Sequence, residues 1–291
     1  MPTCVRILQV PALDSAHWRE AISAAAVQRG WDYKEYWDGP FPELAEDRDS
    51  VIVCWNSNGL AVDQGSWVVL TCPPVEAVTV LAGHLSLSER ESIYHAGARF
   101  ALASDLAMAG AKVFASVDAF IDVEGLGRIY HPPVPTRKAV TPHDHPLNLY
   151  RQIPPAPDTK VVWGAELFDY PGQQGGEPDG GVSLLGRRRL LFNGPSISLP
   201  RGDWTAQARF FVDPQNKCDL LIEWGVGADA ESFAKVFDQE GDYMLSISHS
   251  WHTAAPADFR VSLMMPALDG AFRLRDVTVF STTANDLVQA D

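Results

Sequence analysis

The sequence predicts a protein of the α/β plus all-β class, and three observations along its 291 residues lead to this expectation. Strand-like apolar runs alternate with helix-forming segments up to residue 131, whereas apolar residues recur with period two after residue 160. Between these parts, eight prolines lie from Pro132 to Pro157, and each removes a backbone donor and restricts the residue before it. We therefore expect an α/β domain over 1–131, a Pro-rich linker over 132–160 and a β-sandwich over 161–291.

Charge and apolar content exclude several classes of protein. The chain carries 37 acidic and 23 basic residues, a formal net charge of −14. Phosphate binding requires clustered Lys and Arg, so we expect no nucleic-acid partner. No run approaches the roughly 20 apolar residues of a transmembrane helix, so we expect no membrane span. A start without signal-peptide features, together with four scattered cysteines, predicts a cytoplasmic protein.

The first domain is predicted to begin with a strand, a helix and a second strand. Residues 5–10 form a short apolar run typical of a buried strand. Asp14 and Ser15 follow as cap candidates for an alanine-rich helix over 16–29. Residues 31–37 alternate aromatic and polar side chains, which predicts a half-buried strand.

Two β-branched runs and a long helix continue the alternation. Residues 50–55 and 67–72 predict buried strands, because each run ends at turn residues. Ser88 and Glu91 have the spacing of a capping box, which predicts a helix over 89–108.

A last strand and a hairpin complete the first domain. The strand is predicted over 112–116, and the hairpin pairs 119–123 with 128–130 around Gly125 and Gly127. Continuous apolar strands separated by helices imply a mainly parallel sheet covered on both faces. We predict a small, open domain of Rossmann or flavodoxin type.

Open α/β sheets bind ligands beyond the carboxyl ends of their strands. Asp14 and His17 follow the first predicted strand, and Asn56 and Asn58 follow the third. These groups predict a polar cradle for a sugar or nucleotide. The alternative is that Asp14 or Ser15 caps the helix and the asparagines form a left-handed turn. No GxGxxG follows the first strand and no GxxxxGK[ST] occurs, so no cofactor is predicted.

The second domain alternates apolar and polar residues with period two. Trp204 and Trp224 are in phase with apolar sets of their strands, so both are expected in the core. A change of phase near Asp276 predicts a bulge. Turn residues, and no helical pattern, separate the alternating runs, which lie at 204–212, 220–224, 243–249, 259–265 and 272–279. This spacing predicts a sandwich of the jelly-roll kind.

Part of this domain resembles a known family. The segment NGPSISLPRGDW at 193–204 is similar to the opening of the β-sandwiches that resemble carbohydrate-binding modules beside bacterial capsule and exopolysaccharide enzymes. Matching segments follow at 241–245, 259–263 and 267–272, so the resemblance covers about 191–280. It implies a carbohydrate-binding-like sandwich, and sugar handling only by association. The first domain resembles the Rossmann-like halves of glycosyltransferases in outline alone.

Four residues of the sandwich are predicted to contact a saccharide. Trp251 and His252 are placed where a strand enters a loop, and sugar rings stack on exposed aromatic planes. Arg209 and Glu223 are predicted to point outward and to line one sheet face with polar groups. The alternative is an ordinary solvated face.

Two further clusters contain residue types that suit binding of a metal ion or of an anion. His143-Asp144-His145, with His131 nearby in sequence, has the residue types of a zinc site, but it lies between linker prolines and lacks further ligands, so no metal is assigned. Arg187-Arg188-Arg189 either holds an anionic polysaccharide or phosphate, or is a solvated hairpin.

Three hypotheses of function follow. The first is an accessory, carbohydrate-binding protein of bacterial surface-polysaccharide biosynthesis, whose partner is a saccharide or polysaccharide. The second is a small glycosyltransferase-like enzyme with a nucleotide-sugar partner, using Asp14, His17 or Asn56. The third is a structural interaction module, which a large exposed apolar patch would favour. No catalytic residue is assigned.

Overall fold

The computed structural model describes residues 3–37, 47–55, 66–131, 142, 144–171 and 181–281. It divides into two compact units, Met1–Pro155 and Ala156–Asp291. The division falls within residues 132–160, which the sequence predicts to be a linker. A 3₁₀ turn, Asn148–Arg151, belongs to the first unit, and the buried ring of Tyr150 stacks on Phe100 with centroids 5.4 Å apart.

A five-stranded sheet forms the centre of the first unit, and every neighbouring pair of its strands is parallel. The strand order is β2-β3-β1-β4-β5. The strands are β1 (Cys4–Gln9), β2 (Asp32–Tyr36), β3 (Ser50–Cys54), β4 (Ser66–Thr71) and β5 (Lys112–Ala115). All five residues of β3 are buried, so both faces of the sheet are covered there. This confirms the predicted parallel sheet.

Three helices accompany this sheet: α1 (Ser15–Arg29), α2 (Pro74–Leu85) and α3 (Glu89–Met108). The predicted capping box of α3 is present. The Ser88 hydroxyl accepts a hydrogen bond from the Glu91 amide, and the Glu91 carboxylate accepts one from the Ser88 amide. Helix α2 was not predicted from the sequence. Pro73 and Pro74 indicated only the end of a strand. A helix can nevertheless begin at Pro74, because the first helical residue needs no backbone N–H for the helical hydrogen bonds.

The predicted hairpin is confirmed as β6 (Phe120–Val123) paired with β7 (Gly127–Tyr130). Its apolar side chains join the core formed by β1 and α1. Gly125 at its turn has φ 74°, and a Cβ there would lie 2.5 Å from the Trp31 ring. The turn therefore requires glycine for both conformation and space.

The second unit is a sandwich of two antiparallel sheets, which confirms the predicted β-sandwich. Sheet I contains β10 (Arg189–Phe192), β11 (Pro195–Leu199), β13 (Cys218–Val226), β14 (Asp229–Phe237) and β16 (Ala255–Leu263). Sheet II contains β8 (Lys160–Gly164), β9 (Gly181–Ser183), β12 (Gly202–Asp213), β15 (Gly241–Trp251) and β17 (Ala271–Ser281). Strand β14 forms an edge of sheet I and β15 an edge of sheet II.

Alternating side chains from both sheets fill the sandwich core. Phe210, Trp224 and Phe259 are almost fully buried, as the period-two pattern predicts for residues that face inward. Trp163 of β8, which lies outside the predicted runs, is buried beside Trp224. Arg209 pairs with Asp276 whereas the next residue, Phe210, pairs with Leu274, so one residue of β17 is unopposed. The predicted bulge near Asp276 is confirmed.

Candidate functional site

A polar pocket of about 280 Å³ lies where the edge strands β14 and β15 of the two sheets meet. We call it the edge pocket. Its lining residues come from the start of β12, from β14, from β15 and from the residue after β15, and they are Asp203, Asp229, Glu231, Ser248, His249, Ser250 and His252. Residues distant in sequence therefore form one concavity.

Strand pairing places the side chains of the pocket. Ser250 lies opposite Asp203 in the β12–β15 ladder, and its hydroxyl donates to the Asp203 carboxylate. Gly225 lies opposite Ala230 with φ 150°, and a Cβ there would lie 2.6 Å from the Asp229 carbonyl oxygen. A glycine in β13 thus permits the close hairpin that carries Asp229 to the pocket.

The pocket is rich in hydrogen-bonding groups. It contains three carboxylates, two imidazoles and two hydroxyls, and its lining residues include neither Lys nor Arg. Carboxylates accept charge-assisted hydrogen bonds, hydroxyls both donate and accept, and imidazole does either according to its tautomer. The arrangement suits a small ligand with many hydroxyl groups.

The structure contradicts the prediction that Trp251 stacks on a sugar. Trp251 is only 3% exposed, and its ring stands edge-on to Trp224 at 5.1 Å and to His249 at 4.6 Å. The physical reason is strand phase: β15 continues to Trp251, which shares the inward parity of Ile247 and His249. His252 is exposed and lines the edge pocket, so its ligand role stays a prediction.

The prediction that Arg209 and Glu223 line one face is wrong, because β12 belongs to sheet II and β13 to sheet I. The Arg209 Nε donates to Asp276 Oδ1 at 2.9 Å, and this bond raises the pKa of Arg209. Glu223 forms an ion pair with Arg260 at 3.6 Å. Both side chains therefore already have charged partners.

A row of serines connects the edge pocket with a wider groove on the outer face of sheet II. Arg209, Met244 and others line this groove of about 750 Å³. From Met244, the outward positions of β15 continue as Ser246, Ser248 and Ser250, and all three are exposed. We call these three serines the polar track. The track leads along one strand from the groove to the pocket.

The first unit gathers a second polar cluster after β1. Strands β3 and β4 lie on opposite sides of β1, so the direction of winding changes there, as at ligand sites of open α/β sheets. Asp14 follows β1, and its Oδ2 lies 4.0 Å from His131 Nε2. The rings of His17 and His131 are 5.8 Å apart. Asn56 and Asn58 lie outside the described residues.

Burial controls the electrostatics of this cluster. It raises the pKa of Asp14, against the opposing effect of His131 and His17. It also raises the pKa of Glu76, although the Leu13 amide donates to Glu76 Oε1 at 2.8 Å. Asp14 Oδ1 and His131 Nε2 have no hydrogen-bond partner among the described residues. Two buried groups thus face each other beyond hydrogen-bonding distance.

The alternative prediction, that Asp14 or Ser15 caps helix α1, is correct for the position of Asp14 but not for a capping hydrogen bond. Asp14 is the N-cap residue of α1, but its side chain makes no capping hydrogen bond. The Ser15 hydroxyl instead accepts the Ala12 amide at 2.9 Å. Sequence reasoning considered His131 only beside the cluster at 143–145, because nothing local to the chain indicates that the end of β7 meets the start of α1.

The remaining histidine cluster is only partly described. His145 Nδ1 accepts the Leu147 amide at 3.2 Å, and His143 lies outside the described residues. Within the part of the chain that the structure describes, no three His, Cys, Asp or Glu side chains are arranged to hold a metal ion. In that same part, no helix has the length and apolar character needed to cross a membrane.

Comparison with known proteins gives distant structural likenesses. No family model matches the chain, and no curated protein matches it. TmCBM61 in complex with β-1,4-galactotriose aligns at 10% identity and TM-score 0.30, over 42% of this chain and 88% of that one. The CBM36-1 domain of a xylanase from the hindgut metagenome of Trinervitermes trinervoides aligns at 13% identity and TM-score 0.29, over 43% and 100%. The CBM22-1 xylan-binding domain from Paenibacillus barcinonensis aligns at 10% identity and TM-score 0.27, over 44% and 97%.

Proposed function

We propose that this chain is an accessory, carbohydrate-binding protein of bacterial surface-polysaccharide biosynthesis, and that the edge pocket recognises the saccharide. The lining of the pocket carries the proposal, because all seven lining side chains are polar. The resemblance of residues 191–280 to sandwiches beside capsule and exopolysaccharide enzymes supports the biosynthetic context.

The pocket residues complement the hydroxyl groups of a sugar. Asp229 and Glu231 are exposed carboxylates that accept hydrogen bonds from neighbouring hydroxyls of one ring. Ser248 donates or accepts as the ligand requires. His249 is 9% exposed and lines the pocket. Its imidazole can donate to or accept from a ligand hydroxyl according to its tautomer.

The polar track supports binding of more than one sugar unit. Thr205 and Ser248 share a hydrogen bond of 2.7 Å, and Gln207 donates to Ser246 at 3.2 Å. These neighbours fix the serine hydroxyls at the surface of sheet II. A glycan end in the pocket would continue along the track toward the groove.

We extend the proposal to the cellular location of the protein and to the fold type of its first unit. The four cysteines are free thiols, which supports a reducing, cytoplasmic location. We assign the first unit to the Rossmann or flavodoxin type, with 132–160 as the linker. Its parallel sheet and its change of winding direction at β1 support this assignment.

A glycan array probed with the full chain tests the proposal. We expect signal on at least one bacterial glycan, lost in the variant D229N/E231Q. The matched control is D238N/E240Q, which removes the same charges from the exposed turn between β14 and β15. Silence of the folded wild-type chain on every glycan would overturn the proposal.

A second function, sugar transfer by the first unit, is favoured by the loosely paired Asp14 and His131. In this reaction the His131 imidazole takes the proton of the acceptor hydroxyl, and the oxygen of that hydroxyl forms a new bond to the donor's anomeric carbon. The bond between this carbon and the phosphate oxygen breaks, and a nucleoside diphosphate leaves with the electron pair. Asp14 stabilises the imidazolium. Thermal unfolding with nucleoside diphosphate sugars tests this function: a raised midpoint that D14N abolishes supports it, and no shift with any donor contradicts it.

A further inference from the structure

Beyond saccharide binding, we propose that one end of the sandwich docks on an anionic lipid surface. Two segments form this end: residues 184–189, from the turn between β9 and β10, and the loop 264–270 between β16 and β17. We call them the docking loops. Gly186 and Ala267 exchange backbone hydrogen bonds of 2.9 and 3.0 Å, so the two segments lie side by side.

The docking loops expose large apolar side chains. Leu268 is 89% exposed, more than any other large hydrophobic residue that the structure describes. Met265 is 61% exposed and Leu185 59%. Ala267 between the two loop residues is buried, so the loop backbone is anchored while Met265 and Leu268 project from it. Transfer of these side chains out of water would be favourable.

Arginines stand beside these apolar tips. Arg187 and Arg188 are exposed, and the Arg189 guanidinium donates to the carbonyl oxygens of Ser183 and Arg187. The docking loops hold three basic residues and one acid, Asp269, in a chain of net charge −14. Two further acids adjoin the loop 264–270, because the Met264 amide donates to the carbonyl oxygen of Asp219 and Gly270 lies against that of Asp213. Attraction of an anionic surface therefore rests on the three contiguous arginines at 187–189.

The combination of groups favours lipid over the other anionic partners. Guanidinium binds phosphate in a bidentate manner, which suits a polysaccharide phosphate and a lipid headgroup equally. Leu268 and Met265 offer no flat ring on which a sugar would stack, but they suit the acyl boundary below a headgroup. Apolar residues flanked by cations are the pattern of surface-bound membrane segments.

The docking loops and the edge pocket lie at opposite ends of the strands. Strand β12 begins at Gly202, which pairs with Trp251 next to the pocket, and ends at Asp213, which pairs with Ala271 directly after the loop. Its 12 residues span roughly 35–40 Å. A sandwich docked through these loops would present its saccharide pocket away from the lipid.

Co-sedimentation of the full chain with vesicles tests this inference. We expect binding to vesicles of phosphatidylcholine with phosphatidylglycerol, weaker at high salt, and none to phosphatidylcholine alone. L268S is expected to weaken partitioning about tenfold. R188Q is expected to weaken it about fivefold. Both side chains are exposed, so neither variant should disturb folding.

Two matched variants control for general effects. V27S removes another exposed apolar side chain, 72% exposed on α1, and R48Q removes another exposed cation. Both should partition as the wild type does. Equal binding to neutral and anionic vesicles, or unchanged binding of L268S and R188Q, would overturn the inference. So would a wild-type dimer that L268S dissociates without any vesicle binding, because the loops would then join two copies of the chain.

Discussion

The indole of Trp251 stands edge-on to that of Trp224, with the ring centroids 5.1 Å apart and the planes at 62°. Both rings are buried between sheets I and II. His249, which lines the edge pocket, contacts Trp251 in turn, with ring centroids 4.6 Å apart. The aromatic pair therefore supports one wall of the pocket from within the core.

Truncation of this pair should affect stability more than truncation at the pocket rim. We expect W251A to lower the free energy of unfolding by about 3–5 kcal/mol, because it opens a cavity in the core. H252A should change it by less than about 0.5 kcal/mol, since His252 is exposed. Urea unfolding of both variants measures the difference. Equal stability of W251A and wild type would contradict the buried position of Trp251.

Burial of Asp14 should make the first unit sensitive to pH. Its raised pKa means that the folded state holds a proton at pH values where the unfolded state has released it, so stability falls as pH rises above the usual value of 3.8. The burial penalty therefore grows as pH rises from 3.8 through the raised pKa of the folded state. D14N should therefore melt at a higher temperature than wild type at pH 7, and the gap should close below pH 3.8.

The control for this comparison is D47N, a change at an exposed carboxylate that should leave the melting temperature unaltered at both pH values. A lower melting temperature of D14N at pH 7 would show that the attraction to His131 outweighs the cost of burial.

Three of the four thiols should resist alkylation in the folded protein. Burial raises the pKa of Cys54 to about 12 and that of Cys218 to about 11, and it raises the pKa of Cys72 well above its usual value. Thiolate is the reactive form, so at pH 8 only the half-buried Cys4 should react with iodoacetamide. Mass spectrometry with and without urea checks this expectation. Rapid native labelling of Cys54 would contradict it.

Gly225 should be required for both the hairpin and the pocket. G225A brings a Cβ to 2.6 Å from the backbone of Ala230, which costs about 1–3 kcal/mol and displaces Asp229. At Gly227 a Cβ meets nothing within 4 Å, so G227A should cost only the strain of its positive φ, about 1 kcal/mol. Urea unfolding of both compares the two costs. A G225A variant as stable as G227A would contradict the crowding.

Period-two reasoning succeeded where a strand has one buried face. It located β12, in which every second residue from Trp204 to Val212 is buried. It also located the bulge of β17, because the buried positions of that strand shift by one at Asp276. It missed β14, most of whose side chains are exposed at the edge of sheet I. In the first unit, continuous apolar runs indicated β1, β3 and β4, and alternation indicated β2. Neither pattern indicated α2, because the proline at its first helical position was interpreted as the end of a strand.

The residues of the edge pocket could be predicted only in part, because some of them lie on an exposed edge strand without a period-two pattern. His252 could be selected because polar residues after strands line concavities. Asp229 and Glu231 could not, since they lie on the unpredicted β14 and reach the pocket only when two sheets pack together. Trp251 was misplaced because its strand was assumed to end before it, although parity with His249 predicts an inward side chain.

Recognition at the edge pocket is tested by the dissociation constant of the full chain for an array-selected oligosaccharide, determined by calorimetric titration. We expect D229N/E231Q to weaken binding at least about tenfold, because the variant loses charge-assisted hydrogen bonds. We expect D238N/E240Q to bind as tightly as wild type. Equal affinity of all three proteins would contradict recognition at the edge pocket.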